Sequence, residues 1–128
     1  MKTINLYFSV EAPASELYTA LTNPFTIELW SGFPAKMDAR PGGEFVFWEG
    51  DIFGKNLELI ENEKIVQEWD FGDPNIQSVA TFKLFPDSDE KTTIHVKHEN
   101  VPDSLYDNII EGYKEQYFGA IKRFFEED

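Results

Sequence analysis

The sequence predicts an α+β protein in which a curved antiparallel sheet wraps around one long C-terminal helix. Three patterns support this class. Segments with the two-residue period of strands follow one another from residue 35 to residue 98, and two short helical patterns precede them. A final segment carries apolar residues at spacings of three and four. Because the sheet must bury its apolar face, the last segment is expected to lie across it.

One strand and one helix are expected first. Residues 2–10 alternate apolar and polar side chains, which is typical of a strand. The following "EAPASELYTALTNP" places Leu17, Tyr18 and Leu21 on an apolar helical stripe. Pro24 is expected to end this helix, because proline cannot continue the hydrogen-bond ladder.

A second short helix is expected in "PFTIELW". Asn23 can cap it, since a side-chain oxygen at that position accepts a hydrogen bond from a free backbone N–H group. Phe25, Leu29 and Trp30 are expected to share one face of it. Gly32 should end the helix, because glycine adopts the left-handed conformation of a C-terminal cap.

The stretch "RPGG" at residues 40–43 predicts a hairpin corner. Proline suits the first central position of a type II turn, and the glycine after it supplies the positive φ of the second. The corner joins a short strand at residues 35–39 to "EFVFW". There Phe45 and Phe47 are expected to face one way, and Val46 and Trp48 the other.

Four more strands complete the expected run of six. They are "GKNLELI", "KIVQEWDF", "QSVATFKLF" and "KTTIHVKH", separated by the turn-rich "ENEK", "GDPN" and "PDSDE". Residues 103–128 then predict one long helix that frays at its acidic end. Its apolar stripe comprises Leu105, Ile109, Tyr113, Tyr117, Ile121 and either Phe124 or Phe125.

Composition restricts the function classes. The 128-residue chain has 24 Asp and Glu against 11 Lys and Arg, a formal net charge of -13. Such a charge repels phosphate and anionic lipid, so neither nucleic acid nor membrane is expected as a partner. No cysteine is present, which excludes disulfides and thiol chemistry. No signal segment or membrane span is evident, which predicts a single cytoplasmic domain over residues 1–128.

The two histidines do not predict a metal or catalytic site. His95 and His98 are separated by an odd number of strand residues, so they should lie on opposite faces of the sheet. We expect His98 to point inward and His95 to point to solvent. Phosphate-binding glycine loops, nucleophile elbows and metalloprotease motifs are lacking from the sequence. No catalytic residue, metal or cofactor is therefore assigned.

A sheet that curves around a helix leaves a space between them, which is the expected pocket. Its walls should come from the helix stripe and from the inward positions of the strands. The candidate ligand-binding residues are Phe45, Phe47, Trp69, Phe82, Ile94, His98, Tyr113, Tyr117 and Ile121, with Val96 beside them. The alternative is that these side chains form a filled core.

Several stretches in order resemble the START-like (SRPBCC, birch-pollen-allergen-like) superfamily: "VEAPASELYTALTNP", "DARPGGEF", "KIVQEWDF", "TTIHVKH" and "GYKEQYFGAIKRFFEE". Within it, the chain resembles the C-terminal domain of the activator of the heat-shock-protein ATPase. The resemblance implies the helix-grip fold with an internal hydrophobic cavity. At one point the chain departs from the family, since Gly112-Tyr113 stands where Gly-Trp is common.

Three functions follow as hypotheses. The favoured one is binding of a small hydrophobic molecule in the internal cavity. The resemblance also allows a chaperone-associated protein like the activator, or a cyclase-type or hydrolase-type enzyme in which His98 or an inward carboxylate moves a proton. A homodimer is a further expectation, through exposed strand edges or tryptophans.

Overall fold

The computed structural model of the chain describes residues 1–126 and has the predicted α+β architecture. Seven strands form one sheet, in which each neighbouring pair is antiparallel and the order is β1-β7-β6-β5-β4-β3-β2. The strands are β1 (Lys2–Val10), β2 (Lys36–Met37), β3 (Glu44–Phe47), β4 (Ile52–Ile60), β5 (Lys64–Trp69), β6 (Ser78–Ser88) and β7 (Lys91–Val101). The helix-grip prediction is thereby confirmed.

Two short helices follow β1, as expected: α1 (Ala14–Thr22) and α2 (Pro24–Ser31). The Asn23 side chain caps α2 by accepting a hydrogen bond from the Thr26 N–H at 3.1 Å. Gly32 ends α2 with a φ of +81°. Both ends of this helix are therefore set by local chemistry that the sequence already contained.

The predicted apolar face of α2 was wrong. Phe25 and Leu29 are 71% and 58% exposed, whereas Ile27 and Trp30 are buried. Residues three apart lie on one side of a helix, and this pair faces the core. The Trp30 indole N–H also donates to the Ala20 carbonyl at 2.7 Å, which ties α2 to α1.

The corner at residues 40–43 has the predicted geometry. The Gly43 N–H donates to the Arg40 carbonyl at 2.9 Å, and Gly42 has a φ of +82°. The corner also docks on β4, because Asn56 exchanges backbone hydrogen bonds of 2.7 and 2.8 Å with Gly42 and Gly43. The sharp turn therefore anchors the edge of the sheet as well as reversing the chain.

The sequence predicts that Trp48 continues the alternation of β3, but the structure shows that it does not. Both Trp48 and Glu49 have positive φ values, 49° and 55°, in a tight turn over Trp48–Gly50. This turn brings the Trp48 ring against those of Phe47 and Tyr117, at centroid distances of 6.0 and 5.8 Å. Trp48, predicted to lie on the face opposite Phe47, thus packs against the same inner cluster as Phe47. The hairpin between β6 and β7 is also tighter than predicted, because β6 continues to Ser88.

The C-terminal helix, defined here as Asp103–Glu126, is not uniform. A 3-10 turn (Asp103–Leu105) leads into α3 (Tyr106–Gly112), a π-helical segment (Tyr113–Tyr117) and then α4 (Phe118–Glu126). Residues 127 and 128, which belong to the predicted frayed end, lie outside the described residues.

None of the helices within residues 1–126 combines the length and apolarity needed to cross a membrane.

The core lies between the sheet and the C-terminal helix. Tyr113, Tyr117 and Ile121 of the predicted stripe are buried. Phe118 is buried as well, although the stripe did not include it. The Phe118 N–H donates to the Tyr113 carbonyl five residues earlier, so the π-helical segment adds one residue to the turn and rotates Phe118 toward the sheet.

The π-helical segment predicts opposite effects of alanine at two helical glycines. A Cβ atom at Gly119 would lie 2.4 Å from the Lys114 carbonyl oxygen, whereas one at Gly112 would meet only the Gln116 side chain at 3.7 Å. Gly112→Ala should stabilise the chain by up to about 1 kcal/mol through helix propensity. Gly119→Ala should destabilise it by about 1 kcal/mol or more, because a backbone carbonyl must move. Urea denaturation measures both, and equal stabilisation by the two variants would contradict the π-helical geometry.

Candidate functional site

A cleft of about 810 Å³ opens between the first half of the C-terminal helix and the sheet. The helix contributes one wall, and the start of β4 with the end of β5 contributes the other. The aromatic side chains that line it are Phe33, Trp48, Phe53, Trp69, Phe71, Tyr113 and Tyr117. Ligand pockets in proteins have similar volumes and similarly apolar walls.

The structure brings three of the nine predicted ligand-binding residues to this cleft: Trp69, Tyr113 and Tyr117. The others are buried in the packed core: Phe45, Phe47, Phe82, Ile94, His98 and Ile121, together with Val96. Neighbouring rings fill that core, as in the Phe82–Tyr117 pair at 6.1 Å between centroids. A binding role for these core residues stays a prediction.

Several lining residues were missed at the sequence level. Phe33 follows α2, Phe71 follows β5, and Asn108 and Gln116 lie on the C-terminal helix outside its apolar stripe. Strand alternation and helical periodicity report which face a residue occupies, but loops carry neither pattern. Phe71 ends the predicted strand "KIVQEWDF" two residues after Trp69, and this alternation was the available signal for it.

Two irregular backbone segments meet at the cleft. One is the positive-φ turn that positions Trp48, and the other is the π-helical segment that carries Tyr113, Gln116 and Tyr117. Positive φ in a bulky residue costs free energy, and π-helical segments occur often at functional sites. Their convergence distinguishes the cleft from the rest of the surface.

His98 points inward, as predicted, and lies directly behind the cleft. Its Nε2 atom is 2.8 Å from Ser78 Oγ, and its Nδ1 atom is 2.9 Å from the Tyr113 hydroxyl. Ser78 Oγ donates its own hydrogen to the Glu99 carbonyl at 3.0 Å, so it must accept from His98. We therefore assign the hydrogen of His98 to Nε2, which leaves Nδ1 to accept from Tyr113.

Burial keeps this histidine neutral. It lowers the pKa of His98 to about 4 and raises the pKa of Tyr113 well above its usual range. Both ring nitrogens of His98 are occupied by protein groups, and its side chain is fully buried. The geometry therefore favours a structural role for His98 over proton transfer to a molecule in the cleft.

His95 lies on the opposite face of the sheet, as predicted. Its ring stacks on Tyr7 at a centroid distance of 4.5 Å, and its Nε2 atom is 3.1 Å from Asn5 Oδ1. Partial burial lowers the pKa of His95, and the charges of Lys83 and Lys97 lower it further. It therefore lies away from the cleft.

A chain of buried polar groups crosses the inner face beside the cleft. The Trp69 indole N–H donates to Gln67 Oε1 at 3.2 Å, and Gln67 Nε2 donates to Asn56 Oδ1 at 3.1 Å. Asn56 Nδ2 in turn donates to the Asp38 carbonyl at 2.8 Å. These bonds fix the edge of Trp69, so its ring is held in place as part of the cleft wall.

Metal and carboxylate chemistry finds no support in the part of the chain that the structure describes. Within residues 1–126, no three His, Asp or Glu side chains are grouped as metal ligands would be. Across the same residues, no Asp or Glu is buried. Glu49 and Asp51 lie in and beside the tight turn after β3.

Comparison with protein families decides the relationship. A family model described as "Activator of Hsp90 ATPase homolog 1-like protein" matches residues 11–126. The chain belongs to this family. A family relative in Schizosaccharomyces pombe, an uncharacterized protein, is 32% identical over 92% of this chain and 35% of its own length. The human activator of 90 kDa heat shock protein ATPase homolog 1 is 27% identical over 86% of this chain and 33% of its own length. The chain thus spans about a third of the length of these two relatives.

Solved structures confirm the fold of the family. An Hsp90 activator from Plasmodium falciparum has a TM-score of 0.89 at 22% identity, over 97% of this chain and 96% of that one. The Aha1 dimer from Colwellia psychrerythraea has a TM-score of 0.82 at 18% identity, over 98% and 97% of the two chains. The homodimer expected from the sequence stays a prediction for this chain.

The burial of His98 predicts a loss of stability in mild acid. Its pKa of about 4 in the folded chain lies below its ordinary value of 6.5, so the unfolded chain binds the extra proton between these values. The contribution of His98 is fully present above pH 6.5 and is lost as the pH falls toward 4. The resulting loss of stability between pH 7.5 and pH 5 should be about 2 kcal/mol. Urea denaturation at the two pH values measures it as a decrease in the free energy of unfolding.

His98→Gln should lose most of this pH dependence, whereas His95→Gln, on the solvent-facing side of the same strand, should keep most of it. An unchanged pH dependence in His98→Gln would show that His98 is not held neutral in the folded chain.

Proposed function

We propose that the chain binds a small apolar molecule in the cleft between the C-terminal helix and the sheet. The observation that carries the proposal is a volume of about 810 Å³ with seven aromatic side chains in its lining. Such a volume can enclose a drug-sized molecule, and aromatic walls supply most of the binding free energy through burial of apolar surface.

The neighbouring core supports a preformed site. Tyr113 is held by its hydrogen bond to His98, and Trp69 by its hydrogen bond to Gln67. Fixed side chains lose little conformational entropy when a ligand binds, which favours affinity. The site therefore combines an open apolar cleft with rigid walls.

Binding accounts for these residues better than catalysis does. His98 has no free ring nitrogen, and no carboxylate within residues 1–126 is buried beside an apolar wall that would raise its pKa. A free histidine nitrogen and a carboxyl group with a raised pKa are common general acids or bases near neutral pH. Within residues 1–126, His98 and the carboxylates therefore give the cyclase-type or hydrolase-type alternative little support.

The proposal predicts that a neutral aromatic probe binds and that filling the cleft prevents it. Gly112 lines the cleft in a helical conformation that accepts a side chain, so Gly112→Leu should occupy part of the volume without unfolding the helix. Naphthylmethanol should quench or shift the fluorescence of Trp48 and Trp69. The variant should weaken its binding by about tenfold or more.

Glu111→Leu is the matched control, because it adds the same side chain at the exposed neighbouring position. It should bind the probe as the unmodified chain does. Two results would overturn the proposal: no saturable binding of naphthylmethanol to the unmodified chain, or equal binding by both variants.

A second candidate function is stimulation of the Hsp90 ATPase. The family match and the Plasmodium falciparum activator support it. The surface that fits such a role is the exposed face of α2, where Phe25 and Leu29 lie four residues apart. Exposed apolar patches commonly mark protein contacts.

This candidate predicts that the chain raises the ATPase rate of purified Hsp90. Phe25→Ser combined with Leu29→Ser should raise the concentration for half-maximal stimulation about tenfold or more, because central apolar contacts dominate interfaces. Phe85→Ser, at a 49% exposed residue of β6, is the control and should have little effect. Absence of any stimulation by the unmodified chain would eliminate this candidate.

A further inference from the structure

The charged residues in the cleft lining are all acidic. Asp51 and Asp70 are the charged lining residues within residues 1–126, and the polar remainder includes Asn108 and Gln116. No Lys or Arg of the described residues takes part in the lining. An apolar cleft with charge of one sign at its edge selects ligands by charge as well as by shape.

Neither carboxylate is neutralised by a cation of the described chain. None of the ion pairs found within residues 1–126 includes Asp51 or Asp70. Asp70 Oδ1 accepts a hydrogen bond from the Gly72 N–H at 2.7 Å, which orients the carboxylate without cancelling its charge. The net charge of -13 adds a field of the same sign.

The walls are suited to a cation for a second reason. Trp48, Trp69, Tyr113 and Tyr117 belong to the lining, and of these four Trp48 is the most exposed. The faces of such rings carry partial negative charge and attract cations, indole most strongly. The same rings stack on planar apolar groups. The acidic edge and the aromatic walls therefore both favour a cation that carries a planar apolar group.

We propose that the preferred ligand of the cleft is an aromatic cation, a planar ring system that carries an amine protonated at neutral pH. This inference rests on the proposed binding function and adds its charge selectivity. Aromatic carboxylates and fatty acids of similar size should be disfavoured, because their charge meets two carboxylates with no cation in the described lining.

The test compares three probes with one ring and different charge: naphthylmethylammonium, naphthylmethanol and naphthoate. At pH 7.5 and low salt, the cation should bind about tenfold or more tightly than the anion, and more tightly than the alcohol. Added salt should reduce the difference, because ions screen charges at the edge of an open cleft. Calorimetry or tryptophan fluorescence gives the three dissociation constants.

Asp51→Asn combined with Asp70→Asn should remove most of the preference for the cation over the anion. Asparagine at position 70 keeps the oxygen that accepts from Gly72. The control, Asp89→Asn with Glu90→Gln, makes the same change in net charge in the turn between β6 and β7. It should keep the preference, which separates the effect of the cleft from that of the whole molecule.

The outcomes distinguish the two proposals. If the alcohol binds and the cation binds no more tightly, the inferred selectivity is wrong while the binding function stands. If no probe binds, the binding function itself fails. If the control variant loses the preference as fully as the cleft variant does, the selectivity comes from net charge and the inference is overturned.

Discussion

The structure depends on the contact between the aromatic side chains of the C-terminal helix and the inner face of the sheet. Tyr113, Tyr117 and Phe118 are all fully or almost fully buried there. In a regular α-helix, residue 118 would be rotated by about 140° from residue 113 and would leave the sheet. The π-helical segment corrects this rotation, so three large rings pack against one surface. Each such side chain contributes roughly 1.5–3 kcal/mol through burial.

The π-helical segment separates two regions between the helix and the sheet. The region beyond it is a packed core, and the region before it contains the cleft. Beyond it, Phe118 stacks on Phe8 of β1 at 4.7 Å between centroids, and the core is closed. Before it, the helix borders the cleft, and Gly112 leaves space beside Tyr113. A cleft at this point is therefore a consequence of how the helix meets the sheet. Rings on its walls are shared with the core, which favours fixed positions for these rings.

Buried polar groups set the positions of those shared rings. His98 holds Tyr113, and Gln67 holds Trp69. Every buried side-chain nitrogen and oxygen within residues 1–126 has a hydrogen-bond partner. An unpaired polar group in this setting would cost more than a pair contributes, so the network specifies one arrangement of the rings. Among the described residues that line the cleft, only Asp51 and Asp70 are charged, and both are exposed.

The sequence by itself determined what local backbone chemistry and a two-residue period can determine. The Asn23 cap, the Gly42 turn, the strand run and the opposite faces of His95 and His98 were predicted, because each depends on neighbours in the chain. Tertiary structure alone decided the rest. A bulge at Leu57 shifts the phase of β4, so that Leu57 is exposed and Leu59 packs against the core. The positive-φ turn brings Trp48 inside, and packing exposes Phe25. Only three of nine candidate residues line the cleft because periodicity gives the face of an element. It does not give the depth at which packing stops filling the space.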